Sequence, residues 1–264
     1  MKADILLRKS GFRLCRLLAL AGMKIVLSRK GFDSASGGGP SPIVDGKPVS
    51  LPIPAGAGRP GIAYADLGLA EEVMLASRGR LNPQALAHHD PMFREDGTCL
   101  FGQCGAAQGH LQKRGVGAGD LFVFFGLFRN SREKPHHRIF GWLWVDEVVR
   151  PHDSPARRLA ELRAARHPHA LEPHGGNDAI YCGRGGTAHS IHPELRLSVD
   201  DGPPSLWNVP RWLRRTGLSY HDRADRWRDG DRLQSVARGQ EFVADIGEDE
   251  EAHEWAHRML ALMA

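Results

Sequence analysis

The chain has 264 residues, 41% of them hydrophobic, which is enough apolar material for one large domain or two modest ones and excludes a disordered chain. Its formal net charge is +4, but residues 1–22 hold Lys2, Arg8, Lys9, Arg13 and Arg16 against Asp4, so that segment carries the whole excess and the remainder is formally neutral. A nucleic-acid site must therefore come from local clustering rather than from the overall field.

No run of about 18 apolar residues is present, so no membrane partner is expected. The four cysteines, Cys15, Cys99, Cys104 and Cys182, lack CxxC spacing and read as reduced thiols of a cytoplasmic protein. Residues 1–22 combine a basic flank, a short apolar patch and an Ala-x-Ala ending, but Arg16 interrupts the patch and a secretory signal is a poor fit. The segment reads as a leader, either a loosely attached basic helix or sequence upstream of a start at Met23, with one domain over 23–264.

Lys24 to Ser28 predicts a first strand. The following RKGFDSASGGGPSPIVDGKPVSLPIP is too rich in glycine, serine and proline for helix and predicts an ordered loop. Ser28, Arg29, Lys30 and Asp33 are displayed there beside Gly37, Gly38 and Gly39. Cationic and hydroxyl groups at a strand end suit a phosphate, although neither GxxxxGK[ST] nor GxGxxG is present; a tight surface turn with solvated charges is the plainer reading.

Residues 65–80 predict a short helix or irregular segment. In AHHDP, His88, His89 and Asp90 are candidate ligands or acid–base groups, against a Pro-bounded turn capped by Asp90. GQCGAAQGHLQKRG predicts a helix over Gly105 to Lys113, with Gln103, Gln108 and His110 offering amide and imidazole edges that can read a base. GVGAGD, residues 115–120, predicts a turn. Leu121 to Phe128 and Arg138 to Val149 predict two adjacent strands, with Asn130 to His137 as the loop between them.

Ser154-Pro155-Ala156 predicts a helix start with Ser154 as N-cap, running to about Arg166. His167, His169 and His174 then lie close in sequence, but no Cys or carboxylate stands at matching spacing, so no metal ligand is assigned. Asn177 to Cys182 predicts a short strand, with Tyr181 facing either the core or a stacked base. SLWNVPRW and LSYHDRADRW mix aromatic and basic residues in the manner of a nucleotide partner, or of a core with buried tryptophans. SVARGQEFVADI predicts a closing strand carrying Arg238, Gln240 and Glu241, and Asp249 to Met263 a terminal amphipathic helix.

The order of turn, Gly-Asp, apolar strand, loop and strand over residues 102–149 is similar to PUA-like barrels, including EVE modules, which bind nucleic acids and often enclose one base. A broader resemblance rests on SRKGFDSASGGGPSPI, AHHDP, GQCGAAQGHL, GDLFVFFGLFR, IFGWLWV, SLWNVPRW, LSYH and SVARGQEFV. Over nearly everything from Met23 onward the chain resembles the type-three nucleotide modification associated domain of bacteria and phages, with Met92 standing where an acidic residue is expected. That resemblance implies a setting in nucleic-acid base modification and leaves the reaction open.

The expected fold is α+β, a mixed β-sheet or partly open PUA-like barrel with peripheral helices. The expected partner is a nucleotide or nucleic acid; no cofactor follows from the sequence. An enzyme acting on a nucleotide or nucleobase would use Asp33, His110, His221 and Glu241 for proton transfer. Substrate would be held by Ser28, Arg29, Lys30, Gln103, Gln108, Arg129, Tyr181, Tyr220, Arg238 and Gln240. A non-catalytic reader of modified bases and a metal-dependent hydrolase are the alternatives. An enzyme should gather acids and bases in one cleft, whereas a reader needs an aromatic cage.

Overall fold

The computed structural model describes residues 22–236 and 241–264. The expected leader, apart from Gly22, and the expected substrate contacts Arg238 and Gln240 lie outside the described residues.

In chain order the strands and helices are β1 (Met23–Arg29), β2 (Ser41–Val44), β3 (Lys47–Pro48), β4 (Ile62–Ala63), α1 (Ala70–Ser77), β5 (Leu86–Ala87), β6 (Met92–Phe93), β7 (Thr98–Gln103), α2 (Gly105–Lys113), β8 (Leu121–Arg129) and β9 (His136–Val149). They continue with α3 (Ala156–Ala164), α4 (Pro168–Leu171), β10 (Ala179–Thr187), β11 (Leu206–Asn208), α5 (Arg211–Thr216), β12 (Trp227–Arg228), β13 (Arg232–Gln234), β14 (Glu241–Gly247) and α6 (Glu250–Met263). The fold is α+β. Its main sheet is mixed and runs β14-β1-β8-β9-β10-β7-β6, with the β2–β3 hairpin joined to β8. β1 pairs parallel to β8 and antiparallel to β14, bringing Ser28 opposite Glu241.

Both faces of the sheet are covered, which is why β8 and β9 read as long apolar runs. One face sends Ile25, Leu27, Val123, Phe125, Phe242 and Ala244 into a core with Trp207, Trp212 and the apolar side of α6. On the other, Val26, Phe122, Phe124, Phe101, Tyr181 and Val243 pack together inside the curve. A fully buried Phe contributes roughly 1.5–3 kcal/mol relative to exposure, so this aromatic layer is a main source of stability. The sheet curls into an open half-barrel. Side chains of β14 and β7, far apart in strand order, meet across its mouth: Gln103 Nε2 donates to Glu241 Oε1 at 2.7 Å.

The period of two along a strand decides what reaches that mouth. The positions that follow Val26 on its own face are Ser28 and Lys30, Phe101 is followed by Gln103, and Val243 is preceded by Glu241. Apolar residues fill the depth and polar ones crown it. The Gly-Asp turn ties the opposite end: Asp120 Oδ1 accepts from the Lys24 backbone N–H at 2.7 Å and Oδ2 from that of Gly117 at 2.8 Å.

Several local expectations are corrected. His136 and His137 belong to β9 rather than to the loop, because Phe128 and Leu127 pair with them. Ser154 does not cap α3, whose N-cap is Pro155; Ser154 Oγ accepts instead from the Arg150 N–H at 3.1 Å. Met74 and Leu75, on the helical pattern of residues 65–80, face solvent while Val73 is buried. α6 does start as expected, with Asp249 Oδ1 accepting from the Ala252 N–H at 3.1 Å, a cap worth about 1 kcal/mol.

Candidate functional site

A cleft of about 580 Å³ opens where β1 and β7 end. Its lining includes Arg29, Lys30, Asp33 and Ser36 from the loop after β1, Arg59, His88 and Asp90, then Gly102, Gln103 and Cys104, and finally His169 and His174. No Phe, Tyr or Trp lines it among the described residues.

Behind one wall, buried to 1% exposure beneath the lining residues Lys30 and Gln103, Glu241 is the hub. Its Oε1 accepts from Lys30 Nζ and Gln103 Nε2, each at 2.7 Å, while Oε2 is buried without a hydrogen-bond partner among the described residues. Lys30 also sits 4.4 Å from the centroid of the Phe101 ring. The charge pair and the cation–π contact together keep the ammonium over an apolar floor. Gln103 Oε1 accepts from the Cys104 N–H at 3.0 Å, which fixes its amide orientation. Arg29 donates through Nη2 to the Val236 carbonyl at 3.0 Å and lies 5.7 Å from the rings of Phe125 and Phe242; burial lowers its pKa against the pull of Asp33. Asp33 closes its own turn, with Oδ1 accepting from the N–H groups of Ala35 at 2.8 Å and Ser36 at 2.7 Å.

The facing wall is built of histidines and carboxylates. Gly102 is the only residue type that fits its place on β7, since a Cβ there would stand 2.3 Å from the His169 ring and 2.9 Å from that of His167. Asp90 Oδ1 accepts from the Gly102 N–H at 3.0 Å. Its Oδ2 lies 3.7 Å from His88 Nε2 and 3.8 Å from His169 Nε2, and His167 Nε2 is 3.5 Å from Oδ1. Asp178 Oδ1 is 3.3 Å from His169 Nδ1, and its Oδ2 accepts from the His174 backbone N–H. Burial works to raise the Asp90 carboxyl, but the imidazoles of His167, His88 and His169 outweigh it and hold the group well below the usual carboxylate range. Burial pushes His169 down to about 4 despite the Asp90 carboxylate, and lowers His174 as well. His88, His169 and His174 each bring one ring nitrogen within 4.8 Å of the others; Cys104, His169 and Asp178 do the same with one atom each.

Of the residues singled out by sequence, Arg29, Lys30, Asp33 and Gln103 line this cleft, with Ser28 and Glu241 buried beside them. Others are placed elsewhere. Gln108 and Tyr181 are buried against each other, the Tyr181 hydroxyl donating to Gln108 Oε1 at 3.1 Å, and Tyr181 packs on Phe122. His110 Nε2 is 3.0 Å from Ser219 Oγ and its ring lies 4.5 Å from that of Tyr220, which is exposed; neither lines the cleft. His221 is fully buried, with Nδ1 2.9 Å from the Ser219 carbonyl and Nε2 accepting from the Val236 N–H at 3.2 Å. Both ring nitrogens face backbone groups, Nδ1–H donating to the Ser219 carbonyl and Nε2 accepting from Val236. Arg129 ends β8 on the exposed side, paired in register with Pro42.

Sequence reasoning touched His88, Asp90, His169 and His174 without bringing them together, and missed Arg59 and Asp178. Asp178 had no signal of its own: it is one polar residue before a strand. The doubling of Gly102 with Asp90, twelve positions apart, is equally silent until the strand pairing is known.

A family model described as nucleotide modification associated domain 3 matches residues 24–245. No curated protein and no solved structure shows a match to the chain. The matched span takes in every described residue that lines the cleft.

Proposed function

Starting from the chain's membership of the nucleotide modification associated domain 3 family, which ties it to nucleotide modification, we propose that it is an enzyme acting on a nucleotide or nucleobase within the cleft between β1 and β7. The observation that carries this reading is the composition of the lining. Cations, carboxylates and imidazoles converge on one space of about 580 Å³, a volume suited to a nucleotide-sized ligand, with no aromatic cage of the kind a base reader needs among the described residues.

In this reading Lys30 and Arg59 offset phosphate charge in the cleft, while the Arg29 guanidinium, over Phe125 and Phe242, anchors the strand end from behind. Glu241 is the acid–base group: Lys30 and Gln103 fix one oxygen, and Oε2, buried and without a hydrogen-bond partner among the described residues, is the one left to take or give a proton. Asp33 shapes the loop that carries Ser36 into the cleft rather than moving a proton itself. The test is mass spectrometry of nucleosides from cells with and without the protein, followed by incubation of the purified protein with whichever nucleoside changes. An altered nucleoside pool and turnover in the tube are expected. An unchanged pool, or tight binding with no chemical change, would favour the reader instead.

A further inference from the structure

We propose that His88, His169 and His174 form a binding site for one divalent transition-metal ion on the wall of the cleft. Their ligand atoms already lie within 4.8 Å of one another, from three separate places in the chain: the end of β5, helix α4 and the loop after it. The rings are mutually close, with centroids 5.4 Å apart for His88–His169, 5.2 Å for His88–His174 and 4.3 Å for His169–His174.

Two carboxylates complete the arrangement. Asp178, 3.3 Å from His169 Nδ1, favours the tautomer that carries its proton on that nitrogen and turns the Nε2 lone pair toward His88 and Asp90. A carboxylate behind a metal-ligating imidazole is the usual second support of such sites. Asp90 Oδ2, 3.7 Å from His88 Nε2 and 3.8 Å from His169 Nε2, places a negative charge beside two of the three imidazoles. Tetrahedral ligands at roughly 2.1 Å from an ion are about 3.4 Å apart, so the three imidazole nitrogens, now within 4.8 Å of one another, would close by up to about 1.4 Å on binding.

Charge points the same way. Asp90 and Asp178 are both buried, and among the described residues their ion-pair partners are only histidines, with no Lys or Arg. Buried carboxylates are costly without a cation, and a divalent ion supplies one. Three imidazoles beside an open cleft suit zinc and its neighbours rather than calcium or magnesium, and the cleft leaves a position free for water or substrate. The neighbouring set of Cys104, His169 and Asp178 shares His169 and so competes for it.

The experiment uses the full chain, stripped with a chelator and titrated with Zn(II) by calorimetry, with Co(II) absorption as the spectroscopic readout. One Zn(II) per chain is expected, with a Co(II) spectrum lacking a thiolate charge-transfer band. His88→Ala and His174→Ala remove partly exposed side chains and should each abolish stoichiometric binding; Asp178→Asn should weaken it by about 10–100-fold. Retention of stoichiometric Zn(II) by the His88→Ala/His174→Ala double variant would overturn the proposal, as would loss in Cys104→Ser alone or no uptake by the parent chain. Metal uptake is read without substrate. A changed nucleoside pool with no metal uptake would therefore sink this inference and leave the enzyme reading standing, and uptake with no change in nucleosides would do the reverse.

Discussion

Lys30 Nζ and Glu241 Oε1 stand 2.7 Å apart, joining the end of the first strand to the start of the last across 211 positions of sequence. The two side chains are 11% and 1% exposed, so this is a desolvated pair rather than a surface one. Its energetics are asymmetric: the pair can be replaced as a unit by apolar groups at little cost, but one partner alone cannot be removed cheaply. Lys30→Met should destabilise the protein by about 3–5 kcal/mol, and Lys30→Met/Glu241→Leu by less than that. Urea unfolding of both variants checks the order.

Gly102→Ala tests the packing that seats the histidines on β7. The added Cβ would meet the His169 ring at 2.3 Å and the His167 ring at 2.9 Å, and these rings are themselves buried. A loss of roughly 1–3 kcal/mol is expected for overpacking of this kind. Thermal unfolding measures it, and Gly109→Ala, where the nearest atom is 3.9 Å away, serves as the control within a helix.

His137 makes stability depend on pH. Burial, aided by the Arg29 guanidinium, pushes its pKa down to about 3, and its Nδ1 accepts from Trp207 Nε1 at 3.1 Å, a bond that only the neutral ring can make. The folded value lies below the unfolded value of about 6.5, so the unfolded chain binds more protons between the two. The contribution is complete above about pH 6.5 and is lost as pH falls toward 3, at up to about 1.4 kcal/mol per pH unit. His136 and His221, also lowered by burial, act in the same direction. Urea midpoints at pH 7 and pH 5 should differ less in His137→Gln than in the parent.

His221→Ala should act on folding. It leaves the Ser219 carbonyl and the Val236 N–H without their partners, at a cost of about 1–3 kcal/mol, and removes a ring packed 4.9 Å from Phe242. Turnover per folded molecule should be unchanged, which separates this residue from Glu241.

Much of the scaffold is legible in the residues themselves. Leu121 to Phe128 and Ile139 to Val149 are strands because both sheet faces are buried and both need bulk; α2 spans Gly105–Lys113 as its composition predicts. The strand-end placement of Ser28, Arg29 and Lys30 is readable too, since the glycines, serines and prolines that follow end the strand there. What cannot be read is who meets whom. Gln103 reaches Glu241 over 138 positions only because the sheet curls, and no local pattern encodes that curl. Gln108 and Tyr181 suit base reading because amide and phenol can do that task; the pairing of β7 with β10 buries them together instead. The histidines lack carboxylate partners at matching spacing, but Asp90 arrives from a distant segment and Asp178 from the strand entry.

Glu241→Gln keeps the shape of the side chain and an oxygen that can accept from Lys30 and Gln103, while removing its charge and its ability to exchange a proton. The decisive measurement is nucleoside mass spectrometry of cells making the parent chain, the Glu241→Gln variant at equal level, or neither. The parent should shift one nucleoside and the variant should leave the pool at the level of cells without the protein. A variant that shifts the pool as far as the parent does would contradict the role of this carboxylate and of the cleft built around it.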